Sequence, residues 1–279
     1  MKSKKKYIIG VILLFISLIV YFGYLYNFTG CIVTPKYIYS SDYNDEHYDI
    51  KQKVEIDSVS SIEITSSDYK STLSNLKYCN NLSKLILYTY DCYDNMNFLS
   101  DLKYIEFLTT TCKSKSWDGI SGCTKLKSIT MFSSDFSDLN LLSGFSELSE
   151  LKIESEKQMK YGGLDTLTSL EKLVLAVQNA DLKEISKAPK INELEFHCLK
   201  DTSNISYISE MENLNFIFFG ACDIDEEMLM ELSEIQKLKE LNFYRCKFDF
   251  DEDTFIKYLN DITSKNIIVK YEKNEYLSK

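Results

Sequence analysis

A short apolar motif that recurs about every 22 residues constrains this chain more than any other feature. The motif has apolar side chains at its first, fourth and sixth positions. Because a unit of this length cannot bury its apolar face alone, neighbouring units must stack to form one core. The nine instances begin at Val59, Leu82, Leu102, Leu126, Leu148, Leu170, Ile191, Leu214 and Leu238, in steps of 23, 20, 24, 22, 22, 21, 23 and 24 residues.

A second pattern, in which apolar residues recur every three positions, leads into each motif. An example is Leu139, Leu142, Phe145 and Leu148. A step of three keeps side chains on one face of a 3₁₀ or short α turn. Each repeat is therefore predicted to be a strand, a turn and a short helical return. The predicted strand centres are Ile62, Leu85, Ile105, Ile129, Leu151, Leu173, Leu194, Ile217 and Leu241.

The two patterns together resemble the leucine-rich-repeat family, and most closely the 22-residue class of bacterial internalin-like proteins and of a phosphatase regulatory subunit. The resemblance covers residues 54–250 and implies an α/β repeat fold, a curved solenoid with a parallel concave sheet and short helical or 3₁₀ returns. One departure concerns the ninth repeat position, where the family usually carries Asn. Here that position holds Tyr90, Thr110, Ser134, Glu156, Gln178, Leu199, Cys222 and Cys246.

The N-terminal segment predicts a membrane anchor. Four lysines lie within residues 1–6, and residues 7–26 carry no charge. Twenty helical residues rise about 30 Å, which matches the hydrocarbon core of a bilayer. Because lysines favour the cytoplasmic side, we expect a single-pass plasma-membrane protein with a cytoplasmic tip and its C-terminal domain outside the cytoplasm.

Alternative readings of this segment remain open. Phe28-Thr29-Gly30-Cys31 is similar to a bacterial lipobox, so Cys31 is a candidate for lipid modification at the cell surface. Cleavage would otherwise give a secreted protein, and an inverted topology would place a regulatory solenoid in the cytoplasm. Residues 27–53 are predicted to be a spacer and N-terminal cap. Residues 251–279 are predicted to be a C-terminal cap with a helix and a closing strand.

The charge balance excludes nucleic acid as a partner. The chain has 32 basic and 42 acidic residues, and removing the four N-terminal lysines leaves 28 and 42, a net charge of −14 beyond residue 30. A domain this acidic repels phosphate backbones and anionic headgroups. An acidic surface could favour cationic partners, but a solvated surface is the simpler interpretation; the protein or peptide partner that we expect is predicted by the exposed strand face and not by this charge.

The eight cysteines and the acidic runs predict neither a cofactor nor a metal site. No C-x-x-C pair occurs, and the run Asp249, Asp251 and Asp253 lacks the glycine and glutamate that a calcium loop requires. The cysteines are predicted to be core thiols, with disulfides at 92–112 or 222–246 as the alternative. Because the sequence also lacks a nucleophile motif, a phosphate loop and a dinucleotide-binding turn, we do not expect an enzyme.

Aromatic and apolar residues on the strand face opposite the core predict where a partner binds. Side chains alternate along a strand, so the third, fifth and seventh positions of each repeat line the concave face. The alternative is a structural surface protein without a specific ligand. The candidate ligand-binding residues lie in two groups, Tyr88, Tyr104, Leu108 and Phe132 at one end and Phe216, Phe218 and Tyr244 at the other.

Overall fold

The computed structural model describes residues 37–42, 49–55, 59–64, 73, 76–88, 92–132, 135–272 and 274–276. Two compact units divide them at Ser60, and the first unit also includes Tyr78–Asn80. The first unit contains strands β1 (Tyr37–Asp42) and β2 (Asp49–Glu55), which pair antiparallel. The predicted spacer thus includes paired strands.

The second unit is built around a ten-stranded parallel sheet. Its strands follow one another in chain order, so each repeat adds one strand beside the previous one, as the predicted solenoid requires. The strands are β3 (Ser61–Ile64), β4 (Lys84–Leu87), β5 (Phe107–Thr110), β6 (Ser128–Met131), β7 (Glu150–Glu154), β8 (Lys172–Ala176), β9 (Glu193–His197), β10 (Phe216–Gly220), β11 (Glu240–Tyr244) and β12 (Ile268–Glu272).

Short helices return the chain from one strand to the next. Six are 3₁₀ helices and three are α-helices within the described residues, and the longest α-helix precedes the last strand. The 3₁₀ helices span Leu76–Tyr78, Asn97–Asp101, Asp118–Gly122, Leu139–Leu142, Leu164–Thr166 and Ile205–Ile208. The α-helices are α1 (Leu182–Ile185), α2 (Glu226–Ser233) and α3 (Glu252–Ser264).

Aspartates begin the α-helices. The side chain of Asp225 accepts a hydrogen bond from the Met228 amide at 2.7 Å, and that of Asp251 accepts one from the Thr254 amide at 2.8 Å. Each bond satisfies one of the first helical N–H groups, which lack partners inside the helix. The acidic run near residue 251 therefore supplies a helix cap, and the capping residue is Asp251.

The core lies between the sheet and the returns. The fourth-position side chains from Leu85 to Leu241 are fully buried, whereas Ile62 in the first strand is half-buried. At the sixth position the rings of Phe196, Phe219 and Phe243 stack with centroids 5.7 and 5.6 Å apart. This column of rings continues the core through three successive repeats.

The predicted C-terminal cap extends the same sheet. Strand β12 lies parallel to β11, with Ile268 opposite Glu240 and Glu272 opposite Tyr244. The Ile268 amide donates to the Lys239 carbonyl at 2.8 Å, and the Arg245 amide donates to the Glu272 carbonyl at 3.0 Å. Residues 268–272 thus form a tenth strand and end the sheet.

Candidate binding surface

The sheet has one face turned away from the core, which we call the open face. It is formed by the third, fifth and seventh positions of each repeat. Paired strands keep these positions aligned, because Lys172 lies opposite both Glu150 and Glu193, and Ala176 lies opposite both Glu154 and His197. The backbone ladder therefore holds the open-face side chains in fixed columns.

The third repeat corrects two of the predicted binding residues. Leu108 pairs with Leu85 and Ile129 and is 1% exposed, so it is a core residue. Tyr104 is 62% exposed but precedes β5, which begins at Phe107. The motif of this repeat is thus shifted by three residues, and the strand centre is Leu108 and not Ile105.

The shift brings Phe107 onto the open face at a third position, where it is 42% exposed. Sequence reasoning missed this residue because it assigned Phe107 to the core. Tyr88 and Phe132 lie in the seventh-position column, four residues along the strand from that of Phe107. Four residues span about 13 Å, so the three aromatics do not form one patch.

Phe132 is half-buried and makes a contact with a cation. The ammonium of Lys152, on the next strand, lies 5.0 Å from the centre of the Phe132 ring. A cation over an aromatic face is attracted by the ring quadrupole. Tyr88, by contrast, is exposed and directly follows β4.

Charged residues occupy the centre of the open face. The ammonium of Lys172 lies 2.6 Å from a carboxylate oxygen of Glu195 and 3.1 Å from one of Glu193. His197 and Lys172, which both lie against the Glu195 carboxylate, lower its pKa to about 2. Val174, on the strand between Lys152 and Glu195, is buried.

The second aromatic group lies on β10 and β11. Phe216, Phe218 and Tyr244 are all half-buried, so the structure places the three predicted residues on the open face at neighbouring strands. The rings of His197 and Phe218 lie 5.2 Å apart. They meet above Gly220, where an added Cβ would lie 2.8 Å from His197 Nδ1 and from Phe218 Cε1. The Arg245 guanidinium lies 5.2 Å from the Tyr244 ring centre.

Asn242 lies between these aromatics and Lys270. Its amide nitrogen donates to Glu240 at 3.0 Å, while its buried Oδ1 has no hydrogen-bond partner among the described residues. Lys270 in turn contacts Glu240 at 2.5 Å. The polar groups at this end of the open face are therefore held mainly by one another.

Buried thiols occupy the position where the family usually places Asn. The thiol of Cys222 donates to the carbonyl of Phe196 at 3.5 Å, and that of Cys246 to the carbonyl of Phe219 at 3.3 Å. Cys112, which lies at the eighth position of its shifted repeat, makes a similar contact with the carbonyl of Leu87 at 3.8 Å. In each case the acceptor is the sixth-position carbonyl of the preceding strand, so the thiol links two neighbouring repeats.

The structure records Cys222 and Cys246 as free thiols. Hydrogen bonding to Cys246 and burial both raise the pKa of Cys222. In the other predicted disulfide, the side chain of Cys92 lies outside the described residues. Its backbone pairs with Lys113 and not with Cys112.

The predicted membrane segment, residues 7–26, and the candidate lipidation site Cys31 lie outside the described residues. Within the part that the structure describes, no helix is long and apolar enough to cross a bilayer. The same part contains no group of three or more His, Cys, Asp or Glu side chains that could hold a metal ion.

One cavity of about 390 Å³ lies away from the open face, beside the Asn179–Asp181 strand. Tyr161 borders it, and its hydroxyl donates to the carbonyl of Asn179 at 2.6 Å. The remaining lining residues are Gln158, Met159, Lys160, Ala180, Asp181 and Asp201. Their mixed charges do not indicate one class of ligand.

No protein-family model and no curated protein matches the chain. Among solved structures, the mouse RP105/MD-1 complex is similar with a TM-score of 0.51 and 15% identity, over 74% of this chain and 36% of that one. Internalin C2 of Listeria monocytogenes is similar with a TM-score of 0.49 and 18% identity, over 80% and 87%. A leucine-rich-repeat protein of Leptospira interrogans has a TM-score of 0.48 and 11% identity, over 80% and 75%.

At these identities the likeness concerns the fold alone. A ten-stranded parallel sheet with short helical returns is a leucine-rich-repeat solenoid, and the chain has that fold. The narrower resemblance to internalin-type repeats stays a prediction.

Proposed function

We propose that this chain is a membrane-anchored, extracytoplasmic leucine-rich-repeat protein that binds a protein or peptide through its open face. The observation that carries the proposal is the presence of exposed aromatic side chains, Tyr88 and Phe107, on a face built from continuous strands. Large aromatic groups offer much contact area and lose little rotamer entropy on binding.

The rigidity of the face supports the same function. Every open-face strand is bonded to its neighbours, so a partner need not order the backbone when it binds. Phe218 and Tyr244 add aromatic area at the other end, beside the charged centre around Lys172. Apolar anchors with a polar surround are typical of protein-binding surfaces.

The sequence supports the proposed location. Residues 7–26 are uncharged and follow four lysines, which favours a signal anchor with the repeats outside the cytoplasm. A lipid anchor at Cys31 would give the same outward orientation. Protease treatment of intact cells tests this location, because only an outward-facing solenoid is cut.

The binding proposal is tested by affinity capture with the full chain as bait and quantitative mass spectrometry. Phe107→Ala and Phe218→Ala should each reduce the captured partner, because removing an aromatic anchor commonly costs about 2 kcal/mol of binding. Phe98→Ala is the matched control, since Phe98 is half-buried on a return helix.

A structural surface protein without a specific ligand predicts a different result. The wild type, both open-face variants and the Phe98→Ala control would then capture the same proteins in the same amounts. That outcome would overturn the binding proposal, provided that all four proteins melt at similar temperatures.

A further inference from the structure

Strand β12 leaves one edge of the ten-stranded sheet without a neighbouring strand among the described residues. Successive backbone groups of a strand point to opposite sides. Because Ile268 and Glu272 bond to the β11 side, the N–H and C=O groups of Val269 and Tyr271 point outward. This edge can therefore accept another strand.

Two large apolar side chains of this edge strand are exposed to solvent. Ile268 and Tyr271 are both exposed. Tyr271 is 52% accessible, although the centre of its ring lies 5.4 Å from the centre of the Phe255 ring. Long apolar edges commonly pair with a second chain unless charges or bulges prevent it. The charges on β12 are Lys270 and Glu272, which have opposite signs two positions apart.

We propose that β12 pairs with β12 of a second copy of this chain, antiparallel and about a two-fold axis beside Tyr271. Val269 and Tyr271 are the outward-facing residues that can exchange backbone hydrogen bonds with the second copy, and in the proposed register Tyr271 of one copy meets Tyr271 of the other. In this register Lys270 lies directly opposite Glu272 of the second copy, and the same pair occurs again across the axis.

The charge pattern selects this register over its neighbour. Moving the pairing by two residues would place Lys270 opposite Lys270 of the second copy, and like charges directly opposite one another are destabilising. In the proposed register Lys270 lies between Glu240 of its own chain, at 2.5 Å, and Glu272 of the second copy. The ten-stranded sheet would thus continue into a second one.

This proposal concerns assembly and does not depend on what the open face binds. It is tested by sedimentation velocity of the full chain in a non-ionic detergent, over a wide concentration range. The wild type should be a dimer that dissociates on dilution. Lys270→Glu and Glu272→Lys should each raise the dissociation constant about tenfold, because each change makes two facing pairs repulsive.

The double variant, Lys270→Glu with Glu272→Lys, restores opposite charges across the axis and should dimerise like the wild type. Lys190→Glu is the control for net charge, since Lys190 is exposed in a turn away from β12. Melting curves show whether each variant is folded. Because Lys270→Glu also breaks the contact with Glu240 of the same chain, Glu272→Lys tests the contact between the two copies without that change. A monomeric wild type, a dimer insensitive to both single reversals, or no rescue in the double variant would overturn the proposal.

Discussion

The thiol of Cys246 lies 3.3 Å from the carbonyl oxygen of Phe219, one repeat earlier in the chain. Cys222 makes the corresponding contact with Phe196 at 3.5 Å. An Asn side chain usually makes this link in leucine-rich repeats. Because a thiol is a weak donor that is also small and apolar, it can fill the same buried position and still bond to the strand.

Replacing this thiol should destabilise the solenoid. Cys246→Ala removes a buried donor and leaves a small cavity, so the free energy of unfolding should fall by about 1–2 kcal/mol. Cys198→Ala is the control, because Cys198 is exposed and surface changes usually stay within about 0.5 kcal/mol. Denaturant titration measures the free energy of unfolding of both variants. An equal decrease in the two would contradict the structural role of the Cys246 thiol.

The register of the third repeat gives a second prediction. Leu108→Ala should lower the free energy of unfolding by about 2–5 kcal/mol, because it opens a cavity in the core. Tyr104→Ala should change it by no more than about 0.5 kcal/mol, because Tyr104 is exposed in a turn. If Leu108→Ala were no more damaging than Tyr104→Ala, Leu108 would lie outside the core and the assigned register would be wrong.

The same repeat shows why sequence reasoning succeeded elsewhere and failed here. At Ile129 or Leu173 one apolar pattern fits, and the predicted strand centres are correct. Leu102, Ile105 and Leu108 follow one another in steps of three, so the return helix and the strand motif cannot be told apart. Phe107 is more apolar than Thr110, which favoured the wrong register.

Thr110 resolves this ambiguity in the structure. It is fully buried at the sixth position, and its hydroxyl accepts a hydrogen bond from the Cys112 amide at 2.9 Å. A buried hydroxyl with a partner costs little, but hydropathy alone counts it as polar. The contacts of the open face were equally hidden, because the meeting of His197 and Phe218 above Gly220 depends on the register of two strands.

Glu195 should make stability depend on pH in the acidic range. Its folded-state pKa is lowered from 4.5 to about 2, so the native protein binds fewer protons than the unfolded chain between these values. The contribution of Glu195 is therefore present above about pH 4.5 and is lost as the pH falls towards 2. The melting-temperature difference between wild type and Glu195→Gln should shrink from about pH 6 to about pH 2.5. A constant difference would show that the carboxylate charge contributes nothing.

Deleting residues 1–30 should release the remaining chain from membranes, because the deletion removes the only long uncharged run of the sequence. Cys31→Ser distinguishes the two anchors. If Cys31 carries a lipid, the variant should accumulate as an unprocessed precursor. If residues 7–26 remain as an anchor, its mass should differ from that of the wild type only by the substitution. Cell fractionation measures the location of the protein, and intact-mass measurement shows whether it is processed. A full-length protein found soluble in the cytosol would contradict both the helical anchor and the lipid anchor.

Replacing glycine by alanine should affect stability differently at Gly119 and at Gly220. At Gly119 an added Cβ would lie 2.2 Å from the backbone oxygen of Met96 in the preceding repeat, so the two repeats would have to separate. Gly119→Ala should therefore lower the free energy of unfolding by about 1–3 kcal/mol or more.

At Gly220 the added Cβ meets the side chains of His197 and Phe218, which are half-buried and can turn towards solvent. Gly220→Ala should accordingly unfold at nearly the wild-type temperature, while displaced rings weaken partner binding at the open face. Melting curves measure the loss of stability, and capture of the partner measures the loss of binding. If both substitutions destabilised the protein equally, the rings over Gly220 would be as rigid as the backbone at Gly119.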